Sequence, residues 1–271
     1  TRILLVTLVI RVGATKLPMV KINRENFLRK EFQGRYKNEV VEMAIQHCPA
    51  YAGIKVEEIN EIAESCIKYE TTKVTAISAA TGLPGGFAML GTIPADLVQY
   101  FGHIFRILQK LIYLYGWQDL SLDSNKITEE TKYLLTLFTG VMFGVNGAVK
   151  AVNKISGQLA KQIIKKLPQK TLTKGTIYPL VKKVATALGT RMTKEIFSKG
   201  LAKAVPVVGA VVSGTITYAT YKPMAKKLQK YLASNELASE EFYEKNKDII
   251  DIDWFYIKII MNCNQILKNK N

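Results

Sequence analysis

The chain has 271 residues, with 38 Lys and Arg against 22 Asp and Glu, a formal net charge of +16 and 48% apolar residues. That is too apolar for a disordered chain, and long enough to bury a sizeable core. Three cysteines are too few for a disulfide-built scaffold and fit a reducing compartment.

In chain order, the apolar run Ile3 to Ile10 comes first. No cleavage-site pattern follows it, so it reads as the end of a helix rather than a signal peptide. Asn23 is placed to cap a helix through 24–47, which Pro49 follows. Residues 55–80 read as one long helix. Its early turns carry Glu57, Glu58, Glu61 and Glu64, which suit the positive end of the helix dipole. Pro94 opens a helix to about Tyr115, and Gly116 ends it. After a polar loop at 118–126, Thr128 with Glu129 and Glu130 starts a helix through Val149 that leads into a basic amphipathic stretch. Pro168 and Pro179 mark loops. Helices are expected at 179–203, 206–234 and 238–247. The tail DIIDIDWFYIKII fits strand or helix equally. Strand–helix alternation is absent. The expected class is all-α: a multi-helix bundle with Gly/Pro-rich apolar helical hairpins.

Those hairpins come from uncharged runs. Val74 to Ala95 and Ala204 to Tyr221 carry no charge over 22 and 18 residues. The first is long enough to span a bilayer if helical, but Gly82, Pro84, Gly85 and Gly86 break its middle. It reads as two short helices meeting at a turn, with small residues that permit close approach. The second run, with Pro206 and Gly209, has the same character. Such hairpins either dip into a membrane or form a helical core. A mean hydropathy of +0.06 is low for a polytopic membrane protein.

The positive charge is localised. Residues 150–230 hold 17 basic residues and one acidic residue, Glu195. The segments on either side nearly balance. A block of one sign should meet a polyanion. Lys150, Lys154, Lys161 and Lys165, continued by Lys166, fall on one helical face, and Val152, Ile155, Leu159 and Ile163 on another. This suits an anionic headgroup boundary, with apolar side chains down and lysines splayed. Arg191 is the only arginine in the block, and aromatics are sparse, which disfavours a nucleic-acid reader. The plainer reading is a solvated basic face.

On the helix from Pro94, one face collects Asp96, Gln99, His103, Arg106, Lys110 and Tyr113. Asp96 borders the least polar part of the chain. Arg106 lies roughly 15 Å further along the axis, so Asp96 needs a partner on another helix, or His103 through water. As a site, this stripe would hold an anion or headgroup, or form a proton-linked Asp/His pair. The preferred reading is a half-buried helix with its polar side in solvent.

Other constellations fail. His47 and Cys48, with Cys66 and Cys263, lack metal-ligand spacing. The Gly82–Gly86 loop lacks the Lys-Ser/Thr of a P-loop. No nucleophile stands beside a base. The expectation is a non-enzyme with no metal and no cofactor. A lipid-modifying enzyme or hydrolase using Asp96 and His103 ranks last.

The feature order is TGLPGGFAMLGTIPADL, then QYFGHIFRILQKLIYLYGW, a lysine-rich middle, and KAVPVVGAVVSGTITY. It resembles the EcsC protein family of bacteria. Pro94, Asp96, Leu97, Arg106, Tyr115, Gly116, Pro206 and Gly209 sit where that pattern asks, and LPMVKINRENFLRKEF resembles its N-terminal portion. The match suggests one helical domain over 15–232 and a C-terminal extension over 233–271. The resemblance implies a membrane-associated accessory protein at the cytoplasmic face of a bacterial membrane. Its partners would be anionic lipid or a membrane protein, an ABC transporter in the founding case. It supplies no catalytic residues. The alternative is a soluble basic nucleic-acid-binding module.

Overall fold

The structure is a computed structural model describing residues 20–81, 95–117, 119–120, 129–165, 178–179, 181–188 and 206–247. The glycine-rich turn (Gly82, Pro84, Gly85, Gly86), Lys166 and the aromatic tail lie outside the described residues. So do the side chains of Asp96, Gln99, Lys161 and Lys165. Helix covers 79% of what is described, with no strand among those residues. The class is all-α.

Asn23 caps α1 (Arg24–Phe32) by accepting from the Asn26 N–H at 2.8 Å. The single helix expected over 24–47 is in fact two. Gly34 adopts φ +86°, which L side chains rarely take, and α2 (Asn38–Gln46) starts afresh. The hairpin is closed by an Arg29–Glu42 ion pair. It is also closed by Arg24, whose guanidinium donates to the carbonyls of Ile45 at 2.5 Å and His47 at 2.7 Å. Arg24 thus satisfies orphan carbonyls at the negative end of α2.

The long helix α3 (Val56–Thr81) matches expectation within one residue. Its inward stripe is Ile59, Ile62, Ala63, Cys66, Ile67 and Val74. Helix α4 (Ala95–Leu114) ends as read from Gly116. The Trp117 N–H reaches the Ile112 carbonyl at 2.9 Å, closing a left-handed glycine cap. Gly116 is also needed for space, because a Cβ there would strike the Leu237 carbonyl oxygen.

Helix α5 (Glu129–Met142) does not run through Val149. Gly144 ends it with a second glycine cap, in which the Val145 N–H donates to the Gly140 carbonyl at 2.8 Å. Helix α6 (Ala148–Lys165) is therefore a separate rod. A short helical segment at 181–188 crosses α5 so closely that a Cβ at Gly140 would meet the Val184 side chain.

The hairpin turn expected at Pro206 and Gly209 is overturned. Both residues lie in one continuous helix, α7 (Pro206–Ala233). Pro206 sits at its first position, where no N–H is required, and a lone helical glycine costs only ~1 kcal/mol. A 3₁₀ turn (Glu236–Ala238) and α8 (Glu240–Lys245, capped by Ser239) complete the described chain.

Helices α3 and α7 pair along their length, and α4 packs against both, with α1 and α5 on its other sides. Helix α4 is buried on every side from Tyr100 to Tyr115, apart from the half-buried Arg106. That is the position of a central helix. Leu237 and Ala238 belong to the same core. Tyr243 of α8 seats against Cys48, Ala50 and Tyr51 at the end of α2. No helix among the described residues is long and apolar enough to cross a membrane.

Candidate functional site

Because α4 is central, its polar stripe cannot face solvent. The solvent-facing reading of His103, Arg106 and Lys110 is overturned: all three turn to the α3 seam and converge on Glu70. Glu70 is 0% exposed. Its Oε2 lies 2.9 Å from His103 Nδ1. Its Oε1 lies 2.8 Å from Lys110 Nζ and 3.4 Å from Arg106 Nε. Helical spacing explains the convergence. His103, Arg106 and Lys110 follow at i, i+3 and i+7, one above another on a single face.

Burial pushes the Glu70 pKa up, but the His103 hydrogen bond, Lys110 and Arg106 outweigh it and hold the carboxyl at about 2. Glu70 is thus ionised at neutral pH, and His103 Nδ1 carries the proton that it donates. The His103 carbonyl in turn accepts from the Tyr221 hydroxyl at 2.8 Å, tying α7 into the same node. Burial pushes the Tyr221 phenol well above its usual pKa, so it stays a donor.

The seam opens outward. Lys110 Nζ lies 5.2 Å from the Tyr69 ring centroid and 5.8 Å from that of Phe27. Lys73 Nζ lies 5.9 Å from the same Tyr69 ring, which is 58% exposed. Further along α4, Gln109 donates to the Val20 carbonyl at 2.8 Å and accepts from the Ile22 N–H at 3.0 Å, stitching the segment before α1 to the core. Tyr113, the last member of the expected stripe, donates to Asp119 at 2.8 Å.

Glu70 went unread in the sequence, although a signal was present. The α3 stripe advances by three and four residues through Ala63, Cys66 and Ile67 to Val74, and Glu70 with Thr71 falls on it. A carboxylate on an apolar stripe marks a buried charge that needs partners. Cys66, one turn away, adds no nucleophile: burial pushes its thiol up to about 12. No group of three His, Cys, Asp or Glu suited to a metal occurs among the described residues.

The lysine face is a second, separate feature. Lys150 and Lys154 project from α6 into solvent. The opposite face of α6, including Val152 and Ile155, is buried in the protein core, and Leu159 packs against it. The expected docking of this apolar face on a bilayer is therefore overturned through Leu159, because the core already occupies it. The Tyr231 hydroxyl donates to Asn153 Oδ1 at 2.6 Å, bringing α6 beside α7. That contact places Lys150 and Lys154 next to the exposed Lys227 and Lys230. Comparison with protein-family models, with curated proteins and with solved structures finds no match to this chain.

Proposed function

We propose that this chain is a peripheral accessory protein of the cytoplasmic face of a bacterial membrane. In this reading it is held to anionic lipid by its lysine-rich surface, beside a membrane partner such as an ABC transporter. One observation carries the reading: the exposed lysines 150, 154, 227 and 230 gather around the Asn153–Tyr231 contact, within a segment of 17 basic and one acidic residue. Lysines near an anionic leaflet contribute about 1 kcal/mol each. Four acting together suffice for salt-sensitive attachment without any inserted apolar face. The resemblance to EcsC proteins supports the same setting. A nucleic acid is the competing polyanion, and the near-absence of arginine in the block weighs against it.

Flotation tests the proposal. The protein should float with vesicles of one-third phosphatidylglycerol, stay behind with neutral phosphatidylcholine, and be released by ~0.5 M salt. The Lys150→Gln, Lys154→Gln, Lys227→Gln, Lys230→Gln variant should lose at least about tenfold in partitioning. Equal flotation with neutral vesicles, or preferential capture by a competing RNA, would sink the proposal.

A further inference from the structure

The node at the α3–α4 seam is out of electrical balance. Glu70 brings one negative charge, and Arg106 and Lys110 both press on its Oε1. The other oxygen is taken by His103. Lys73 adds a third cation at the rim, over the exposed Tyr69 ring. Among the described residues the local sum is +2, with Lys110 8% exposed and so largely stripped of water. A poorly hydrated positive excess draws in an anion. Two surplus charges match a dianionic phosphate monoester better than chloride or a carboxylate. Lys110 and Lys73 each carry three ammonium donors, of which Glu70 engages Lys110 alone. Arg106 has a further partner besides Glu70, so it contributes mainly its field.

We propose that Lys73, Arg106 and Lys110, braced by buried Glu70 and covered by Tyr69, form a binding site for a phosphate monoester. The ligand is either a soluble phosphorylated metabolite or the headgroup of a monoester lipid. The site is distinct from the diffuse lysine face, because it is built on α3 and α4 rather than α6 and α7. Glu70 sets its strength, since one carboxylate partly cancels the field that the anion feels.

The test uses the full chain. Thermal unfolding is followed in sodium phosphate, in glycerol 3-phosphate and in sodium chloride of equal ionic strength. Both phosphates should raise the melting temperature above the chloride value. Arg106→Gln should weaken the fitted phosphate affinity about tenfold, and Lys73→Gln, a surface change that leaves the core intact, about fivefold. Glu70→Gln should gain more from phosphate than the natural chain does, a result that a purely structural ion pair does not produce. The Lys150, Lys154, Lys227 and Lys230 variant should keep the full response, which separates this site from the membrane reading.

Vesicles of phosphatidic acid and of phosphatidylglycerol, matched in surface charge, distinguish the sources. A preference for phosphatidic acid that Lys73→Gln removes identifies a lipid headgroup. A response to glycerol 3-phosphate without that preference identifies a soluble monoester. Equal melting in phosphate and chloride, or an unchanged phosphate response in both Arg106→Gln and Lys73→Gln, overturns the proposal.

Discussion

At the scale of single residues, Glu70 concentrates the most consequence. Its carboxylate satisfies donors from three residues of α4, and two of those are permanent cations. Removing it leaves charge buried without a partner. Glu70→Ala should cost about 3–5 kcal/mol in urea unfolding at neutral pH. The same carboxylate makes stability depend on pH. Its folded pKa of about 2 lies below the ~4.3 of an unfolded glutamate. Its stabilising contribution is therefore complete above the unfolded value and is lost as pH falls through that window toward 2. Urea midpoints of the natural chain should drop between pH 5 and pH 2.5. Those of Glu70→Gln should change less, and parallel curves would refute the assignment. Arg24 is a second such residue, since its guanidinium serves the last carbonyls of α2. Arg24→Leu should cost about 2 kcal/mol, because charge-assisted bonds are lost and the carbonyls are orphaned.

At the scale of elements, glycines decide where helices stop. Gly34, Gly116 and Gly144 all hold positive φ at helix ends. Gly116 carries the further demand that the Leu237 carbonyl sits where a side chain would begin. Gly116→Ala combines left-handed strain with a clash against backbone. It should lower stability by about 2–3 kcal/mol, whereas Gly157→Ala, which meets nothing within 4 Å, should be neutral or slightly stabilising. Differential scanning calorimetry of the two variants provides the comparison. Gly209 shows the converse. A glycine can lie inside a helix when its neighbours continue the hydrogen-bond ladder, so composition alone did not reveal a turn there.

At the scale of the whole molecule, the amphipathic faces find their partners inside the protein. Helix α6 has the pattern of a membrane-surface helix, yet Val152 and Ile155 are fully enclosed. Attachment through this helix therefore falls to its lysines in the described region. Binding should consequently be screened by salt and should not saturate with insertion signatures such as protection of a thiol placed at position 155.

Chain order, helix class and several ends were legible in the residues. The cap at Asn23, the acidic start of α3 and the Gly116 stop of α4 are local matters, settled by backbone geometry within a few positions. The charge block was equally plain, because net charge is additive and needs no fold. Two things were not local. The apolar face of α6 was visible, but whether protein or lipid covers it depends on which helices lie alongside. The polar stripe of α4 was visible as well. Its burial came only from α3, α7, α1 and α5 closing around it, and its counter-charge from Glu70, 33 residues upstream of His103. Periodicity within one helix shows that a face exists. The packing of other helices decides whether that face meets water, a bilayer or a buried carboxylate.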